Sequence, residues 1–286
     1  MAKKIQGLPR QAANPTALTT LGWWSIRSVL LQQKLMLLWQ ILLLPMENIY
    51  KCIVMKRLIE YHHSDQSSMI YAASGPVALM YEAAKTINVH TTVVRSIRDG
   101  VYMHKAQWKA LVKNNIQIRE NSLFLASCLL YPRLNLYRSI CIDICMWPWW
   151  GYCLMNPRDT PKCRTMLRLV VGESSLNRSL DGNEVVVRPI CELCGVGSPL
   201  TPHHVLFNCD MLREIRTPLL YNVANSAPSA LWECMESMSS VNKTEFILSG
   251  FRCKYMHEWY ELYQQVLIFV VSMLNGSLLK LRNLVN

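Results

Sequence analysis

Three cysteines and a histidine between residues 191 and 209 make the sharpest chemical statement in the chain: Cys191-Glu192-Leu193-Cys194, then His203-His204, then Cys209. Two residues separate the first pair of thiols, a turn-sized gap that lets both sulfurs face one point. Nine residues separate Cys194 from His204, and four separate His204 from Cys209. Three thiolates and one imidazole complete a tetrahedral shell for Zn²⁺ and leave no position for water, which marks a structural site rather than a catalytic one. Gly195, Gly197 and Pro199 supply the turn that such a knuckle needs after its first pair. On a helical start, residues 204, 208 and 209 share a side, so His204 and Cys209 converge while Leu206 and Phe207 pack elsewhere. His204 is therefore the expected fourth ligand and His203 the alternative. The competing reading is four ordinary thiol and imidazole groups inside a core.

No constellation for catalysis stands beside this one. The chain carries no Gly-rich phosphate loop, no Gly-x-Ser-x-Gly elbow and no His-Glu-x-x-His helix. Its 19 acidic residues are scattered, with no Asp pair placed for two Mg²⁺ ions. The expectation is a chain that is not an enzyme and has no catalytic residues. Cys141 and Cys145 stand one helical turn apart in the Trp- and Cys-rich run 123–155, but no histidine joins them, and core packing is expected there. His62 and His63 lack partners at ligand spacing and are expected on the surface.

The elements that must position these groups read as mainly α-helical, with a small zinc-knuckle module and few short strands. A hydrophobic fraction of 51% over 286 residues suffices for a real core. The formal charge of +11 favours a polyanionic partner. Eleven cysteines, an odd number at irregular spacing, argue against a disulfide framework and for a reducing compartment, nucleus or cytoplasm. Lys3, Lys4 and Arg10 are followed by turn residues, not by an apolar leader. No run reaches 18 uninterrupted apolar residues, so no membrane partner is expected.

Four segments are expected in order. Residues 1–60 form a basic helical segment: a turn-rich lead-in over 1–18, then an amphipathic helix through Leu21, Trp24, Val29, Leu30, Leu37, Leu38, Ile41 and Leu42 that ends before Pro45. Up to Arg57, eight basic residues face Glu47 alone. Residues 61–160 form a helical linker region, with a polar turn at 62–68, a helix over 76–87, an open choice between strand and helix over 89–98, and a helical pattern from His104 to Val112. Residues 161–220 hold the metal module, introduced by a short basic helix after Pro161 and a brief strand at Val185-Val186-Val187. Residues 221–286 form a C-terminal helical segment after a loop at 223–230, with Trp232, Ile247, Phe251, Trp259, Tyr263, Val266 and Phe269 as its core.

Three stretches together resemble the region that follows the polymerase palm in reverse transcriptases of non-LTR (LINE-like) retrotransposons. Ala2-Lys3-Lys4-Ile5-Gln6-Gly7-Leu8-Pro9, with Leu21-Gly22-Trp23 and Lys34-Leu35, is similar to the family's thumb. Met166-Leu167-Arg168-Leu169 through Gly172 and Leu176-Asn177 resembles the approach to its cysteine–histidine motif, and residues 191–209 with Arg216 resemble the motif itself. Asp210 stands where the family commonly has proline, and the polymerase's paired aspartates are absent. The resemblance implies a non-catalytic segment that grips template RNA or target DNA, belongs with the remainder of a retroelement polyprotein, and uses Cys191, Cys194, His204 and Cys209 as ligands. Lys34, Lys51, Lys56, Arg57, Arg164, Arg168, Arg213 and Arg216 are the expected phosphate contacts. Two rival classes remain: a zinc knuckle that binds protein, and an enzyme whose site the motifs do not reveal.

Overall fold

The computed structural model describes residues 1–10, 12–66, 75–141, 143–174, 190–251 and 259–285. The chain is mainly α-helical, and the pairings outside helices among the described residues are two isolated antiparallel bridges, Leu21 with Met146 and Ile190 with Pro199. The expected strand at 185–187, and Leu176-Asn177, lie outside the described residues. Two compact units form, residues 24–124 and residues 1–23 with 125–286. These divisions fall inside the expected segments 1–60 and 61–160.

The lead-in is not loose. Helices α1 (Ala2–Ile5) and α2 (Asn14–Thr19) pack into the discontinuous unit, and Gln6 between them is fully buried. Its amide nitrogen donates to the Ala17 carbonyl at 2.6 Å, and its amide oxygen accepts from Thr20 Oγ1 at 2.5 Å and Trp150 Nε1 at 3.3 Å. A buried amide with partners on both its atoms locks the segment to the later chain.

Residues 24–124 carry helices α3 (Ile26–Leu42), α4 (Ile49–Gln66), α5 (Pro76–Thr86), α6 (His90–Asp99) and the first part of α7 (Lys105–Leu129). Helix α3 starts five residues later than the apolar pattern suggested, because Ser25 caps it: its Oγ accepts from Ser28 N. Its buried face is Leu31, Leu35, Leu38, Trp39 and Leu42, so Val29, Leu30 and Leu37 point outward instead. Trp39 stacks on Trp108 with ring centroids 4.1 Å apart, and each indole N–H finds a carbonyl, Met103 and Leu35 respectively. The expected polar turn at 62–68 is helical as far as Gln66, since α4 runs on through it. His62 is buried rather than exposed, with Nδ1 3.1 Å from the Tyr81 hydroxyl, while His63 is exposed. The undecided stretch 89–98 is helix α6, closed by Gly100 in the left-handed region.

The remaining elements are the end of α7, α8 (Asn135–Ile140), α9 (Pro148–Met155), α10 (Thr160–Val170), α11 (Arg213–Ser226), α12 (Ser229–Ser237), α13 (Ser240–Leu248) and α14 (Tyr260–Val285). The Trp- and Cys-rich run is core only in part: Trp147, Trp149 and Trp150 are buried, and the first two donate to the Leu248 carbonyl at 3.0 and 3.2 Å, whereas Cys141 is half-buried and Cys145 exposed, against the expected core packing. Cys128, Cys153 and Cys163 are buried with them. The loop expected at 223–230 shrinks to Ala227 and Pro228, because α11 continues to Ser226 and α12 begins at Ser229. Ile247, Phe251, Tyr263, Val266 and Phe269 are core as expected, whereas Trp232 and Trp259 are only half-buried. Gly172 has φ +72°, and a Cβ there would meet the Arg133 carbonyl oxygen at 2.5 Å, so this position excludes any side chain.

Glu120 holds the start of α3. Its buried carboxylate accepts from Ser25 N at 3.2 Å, Ser25 Oγ at 2.9 Å and Ser28 Oγ at 2.5 Å. A negative charge at a helix N-terminus is favourable, and its removal strands the buried Ser28 hydroxyl. Glu120→Ala is therefore expected to destabilise residues 24–124 by about 2 kcal/mol. Urea denaturation followed by tryptophan fluorescence measures the loss, and an unchanged midpoint would refute it.

Candidate metal centre

The sequence builds this site from a hairpin and a widened turn. Cys191 N donates to the Ser198 carbonyl at 2.8 Å, next to the Ile190–Pro199 bridge, so the two arms of the hairpin are held at its base. Gly195 and Gly197 at its tip have φ of +65° and +71°, with open space around both, so backbone conformation is what selects glycine. Leu193 and Leu200 are buried and anchor the arms. Past Pro202 the chain is held by Thr201, whose carbonyl accepts from Val205 N at 3.0 Å.

Residues His204–Asn208 then form one π-helical turn instead of the expected α-helical start, and Cys209 N donates to the His204 carbonyl at 2.7 Å. The five-residue spacing brings Cys209 back beneath His204. Val205 and Leu206 are buried, and the Phe207 ring lies 5.8 Å from that of Phe269 on α14. Packing on α14 thus fixes the turn that carries two of the four donors.

The donor atoms of Cys191, Cys194, His204 and Cys209 all lie within 4.8 Å of one another, close enough to hold a metal ion. Cys191 Sγ stands 3.9 Å from Cys209 Sγ, and Cys194 Sγ stands 3.5 Å from His204 Nε2. A tetrahedral ion with metal–sulfur bonds near 2.3 Å and a metal–nitrogen bond near 2.0–2.1 Å would set these edges at about 3.8 and about 3.6 Å. Both of these separations suit such an ion. Cys191 and Cys209 are fully buried, His204 nearly so, and Cys194 faces partly outward. His203 turns to a different task, with Nε2 3.0 Å from Thr201 Oγ1, so His204 is the imidazole of the cluster. Among the described residues no other group of three or more His, Cys, Asp or Glu side chains converges this closely.

Burial dominates the electrostatics of the pocket. Burial first, then the neighbouring Cys191 and Cys194, push the Cys209 thiol up to about 12. Burial and then the Arg216 guanidinium hold His204 below its ordinary value, so its ring is neutral and ready to ligate at neutral pH. No family model, curated protein or solved structure matches the chain.

The expected phosphate contacts scatter. Lys56 and Arg57 on α4 and Arg213 at the start of α11 are exposed, and Lys34 on α3 is half-buried. Lys51 is a correction: it is 5% exposed, its Nζ donates to the Leu44 carbonyl at 2.8 Å, and it lies over the Tyr102 ring, so it is unavailable to a phosphate. Arg216 is another, being 8% exposed. Arg164 donates to the Ile5 carbonyl at 2.9 Å and Arg168 to the Gly7 carbonyl at 2.6 and 3.0 Å, which ties both guanidinium groups to the N-terminal segment. Sequence reasoning missed Lys105, Lys109 and Lys113, which are all exposed on α7. Their spacing of four residues, readable in the sequence, sets them about 6 Å apart along one side of the helix.

Two outcomes test the site. Cys191→Ser and His204→Ala are each expected to abolish stoichiometric metal in the purified protein, while His203→Ala retains it, as read by elemental analysis. Metal affinity is also expected to rise with pH. The raised Cys209 thiol keeps its proton at neutral pH and must release it on binding, so acid competes with the metal. In the metal-free protein the sign is opposite. A folded-state value above the unfolded one gives stability that is complete below pH about 8.5 and is lost as pH rises toward 12. Thermal melts of loaded and metal-free protein across this range should diverge accordingly.

Proposed function

We propose that Cys191, Cys194, His204 and Cys209 hold a structural Zn²⁺, and that the chain is a non-catalytic nucleic-acid-binding portion of a protein related to non-LTR retrotransposon reverse transcriptases. The observation that carries the metal is the match between the two donor separations and the edges of a tetrahedral zinc–thiolate–imidazole shell. Three soft thiolates and one imidazole favour Zn²⁺ over the hard, oxygen-seeking cations. Bound there, the ion supplies a cross-link, with no open position at which to activate water. The chain's own residues do the rest: the hairpin presents two thiolates, the π turn presents Cys209 and His204, and α14 holds that turn in place.

Nucleic-acid binding is supported by charge. Residues 24–124 carry twelve basic and six acidic residues, and the exposed row Lys105, Lys109 and Lys113 suits a phosphate backbone. The link to a retroelement rests on the resemblance of the three stretches named above and on the order in which they occur. A second reading, a protein-binding module, is favoured by one observation: Ile26, Leu30 and Leu37 are 81%, 56% and 48% exposed along one side of α3.

Salt separates the readings. Binding of labelled single-stranded RNA or duplex DNA is expected to weaken steeply with salt. Lys105→Gln/Lys109→Gln/Lys113→Gln should flatten the log–log slope by about 2 on single strands and about 3 on duplex. Binding that ignores salt, or a triple variant with an unaltered slope, would overturn the phosphate contact.

A further inference from the structure

Helix α3 carries two stripes at helical spacing, and residues 24–124 use only one of them. Ser28, Leu31, Leu35, Leu38 and Leu42, three and four apart in turn, are buried on a helix that packs against α4 and α5. Ile26, Leu30, Gln33, Leu37 and Gln40 follow the same alternation, four then three, and all five are exposed. At the helical rotation per residue the second set falls within about 80° of arc, roughly opposite the buried set. This alternation is the a/d repeat by which one helix receives another, knob into hole. It runs the length of α3, 17 residues or about 25 Å. The shallow depression along this side is lined, among the described residues, by Leu30, Gln33, Lys34, Met36, Leu37 and Gln40, all from α3 itself.

Charge on the flanks defines the occupant. Arg27 and Lys34, one heptad apart, stand beside the exposed stripe on one flank, and Val29 and Met36 hold the other. Neither cation has an ion-pair partner among the described residues. Helix α3 has no Asp or Glu, and the first acidic residue of the chain is Glu47. A second copy of α3 would therefore meet these cations with no carboxylate of its own. A lipid surface favours an unbroken apolar face, which Gln33 and Gln40 interrupt, whereas in a helix pair a polar residue at such a position sets the register. We propose that this face of α3 is a docking seam for an amphipathic helix of a partner protein, apolar along its contact stripe and acidic along the flank that meets Arg27 and Lys34. The seam rests on the protein-binding reading above, gives it a partner, and is separate from the lysine row of α7.

The probe is a synthetic helical peptide of three heptads, about 21 residues, with leucine and isoleucine on its contact stripe and glutamate on its flanks, beside a twin carrying lysine for glutamate. By fluorescence anisotropy at low salt, the full chain is expected to bind the glutamate peptide in preference to its twin. Leu30→Asp/Leu37→Asp changes exposed positions, so its melting temperature should match the parent while its affinity for the peptide falls at least about 10-fold. Arg27→Glu/Lys34→Glu should reverse the preference between the twins, which a merely sticky surface would not do. Lys105→Gln/Lys109→Gln/Lys113→Gln should keep the peptide, so a failure of the phosphate contact on α7 is read separately. No binding of the glutamate peptide, or binding unaltered in Leu30→Asp/Leu37→Asp or in the charge reversal, overturns the seam. A dimer in sedimentation that Leu30→Asp/Leu37→Asp dissolves would assign the face to a second copy. Phosphatidylserine–phosphatidylcholine vesicles that bind the parent and not this variant would assign it to a membrane, and either result also overturns the partner helix.

Discussion

Three thiols and an imidazole crowded within 4.8 Å of one another, two of the sulfurs wholly buried, form an arrangement that repels itself once it ionises. Only a cation at the centre turns that repulsion into attraction, and the tetrahedral shell then satisfies every donor at once. The surrounding structure brings the four donors together. The hairpin closes through Cys191 N, the π turn closes through Cys209 N, and in each case a ligand's own backbone N–H fixes its position. Backbone hydrogen bonds place the sulfurs, and a bound ion would stabilise that placement.

The scaffold beneath the module obeys the same demand that buried polar groups be answered. The Trp147 and Trp149 indoles share the Leu248 carbonyl, and Tyr263 donates to the Gly250 carbonyl at 2.6 Å, so α9, α13 and α14 meet around a small set of satisfied polar atoms. Asp159 shows the balance locally. Burial opposes its charge, yet hydrogen bonds from Lys162 and Tyr152 hold its carboxyl below the usual range. Helix α14 packs against this core on one part of its length and against the π turn on another, which links the metal ligands to the aromatic centre of their unit.

Much of this was legible from residue types. Cysteine and histidine spacing located the cluster, because coordination geometry constrains spacing more tightly than packing does. The preference for His204 over His203 followed from helical periodicity and held even though the turn proved wider than an α-helix. Helical class was legible as well. Which face of α3 is buried was not, since its apolar residues surround the helix and the partners that choose a side lie in α4 and α5. The polar stretch at 62–66 looked like a turn because local composition is silent about Tyr81, which accommodates His62 from another helix. Lys51 and Arg216 show the limit of counting charges: both are buried, and Lys51 spends its head on the Leu44 carbonyl.

Gln6 joins the first helix of the chain to Trp150, 144 positions away, and Arg168 reaches Gly7 from 161 positions away. Between those partners lies the whole of residues 24–124, which closes on its own core. Synthesis therefore delivers the two halves of one unit at different times. While the interposed helices are built, residues 1–23 have their contacts with one another, such as Gln6 with Ala17 and Thr20, and they acquire those with Trp150 and Arg168 only after α10 has emerged. The order of assembly is thus inside-out: the insertion can complete itself first, and residues 1–23 settle with the later part of their unit.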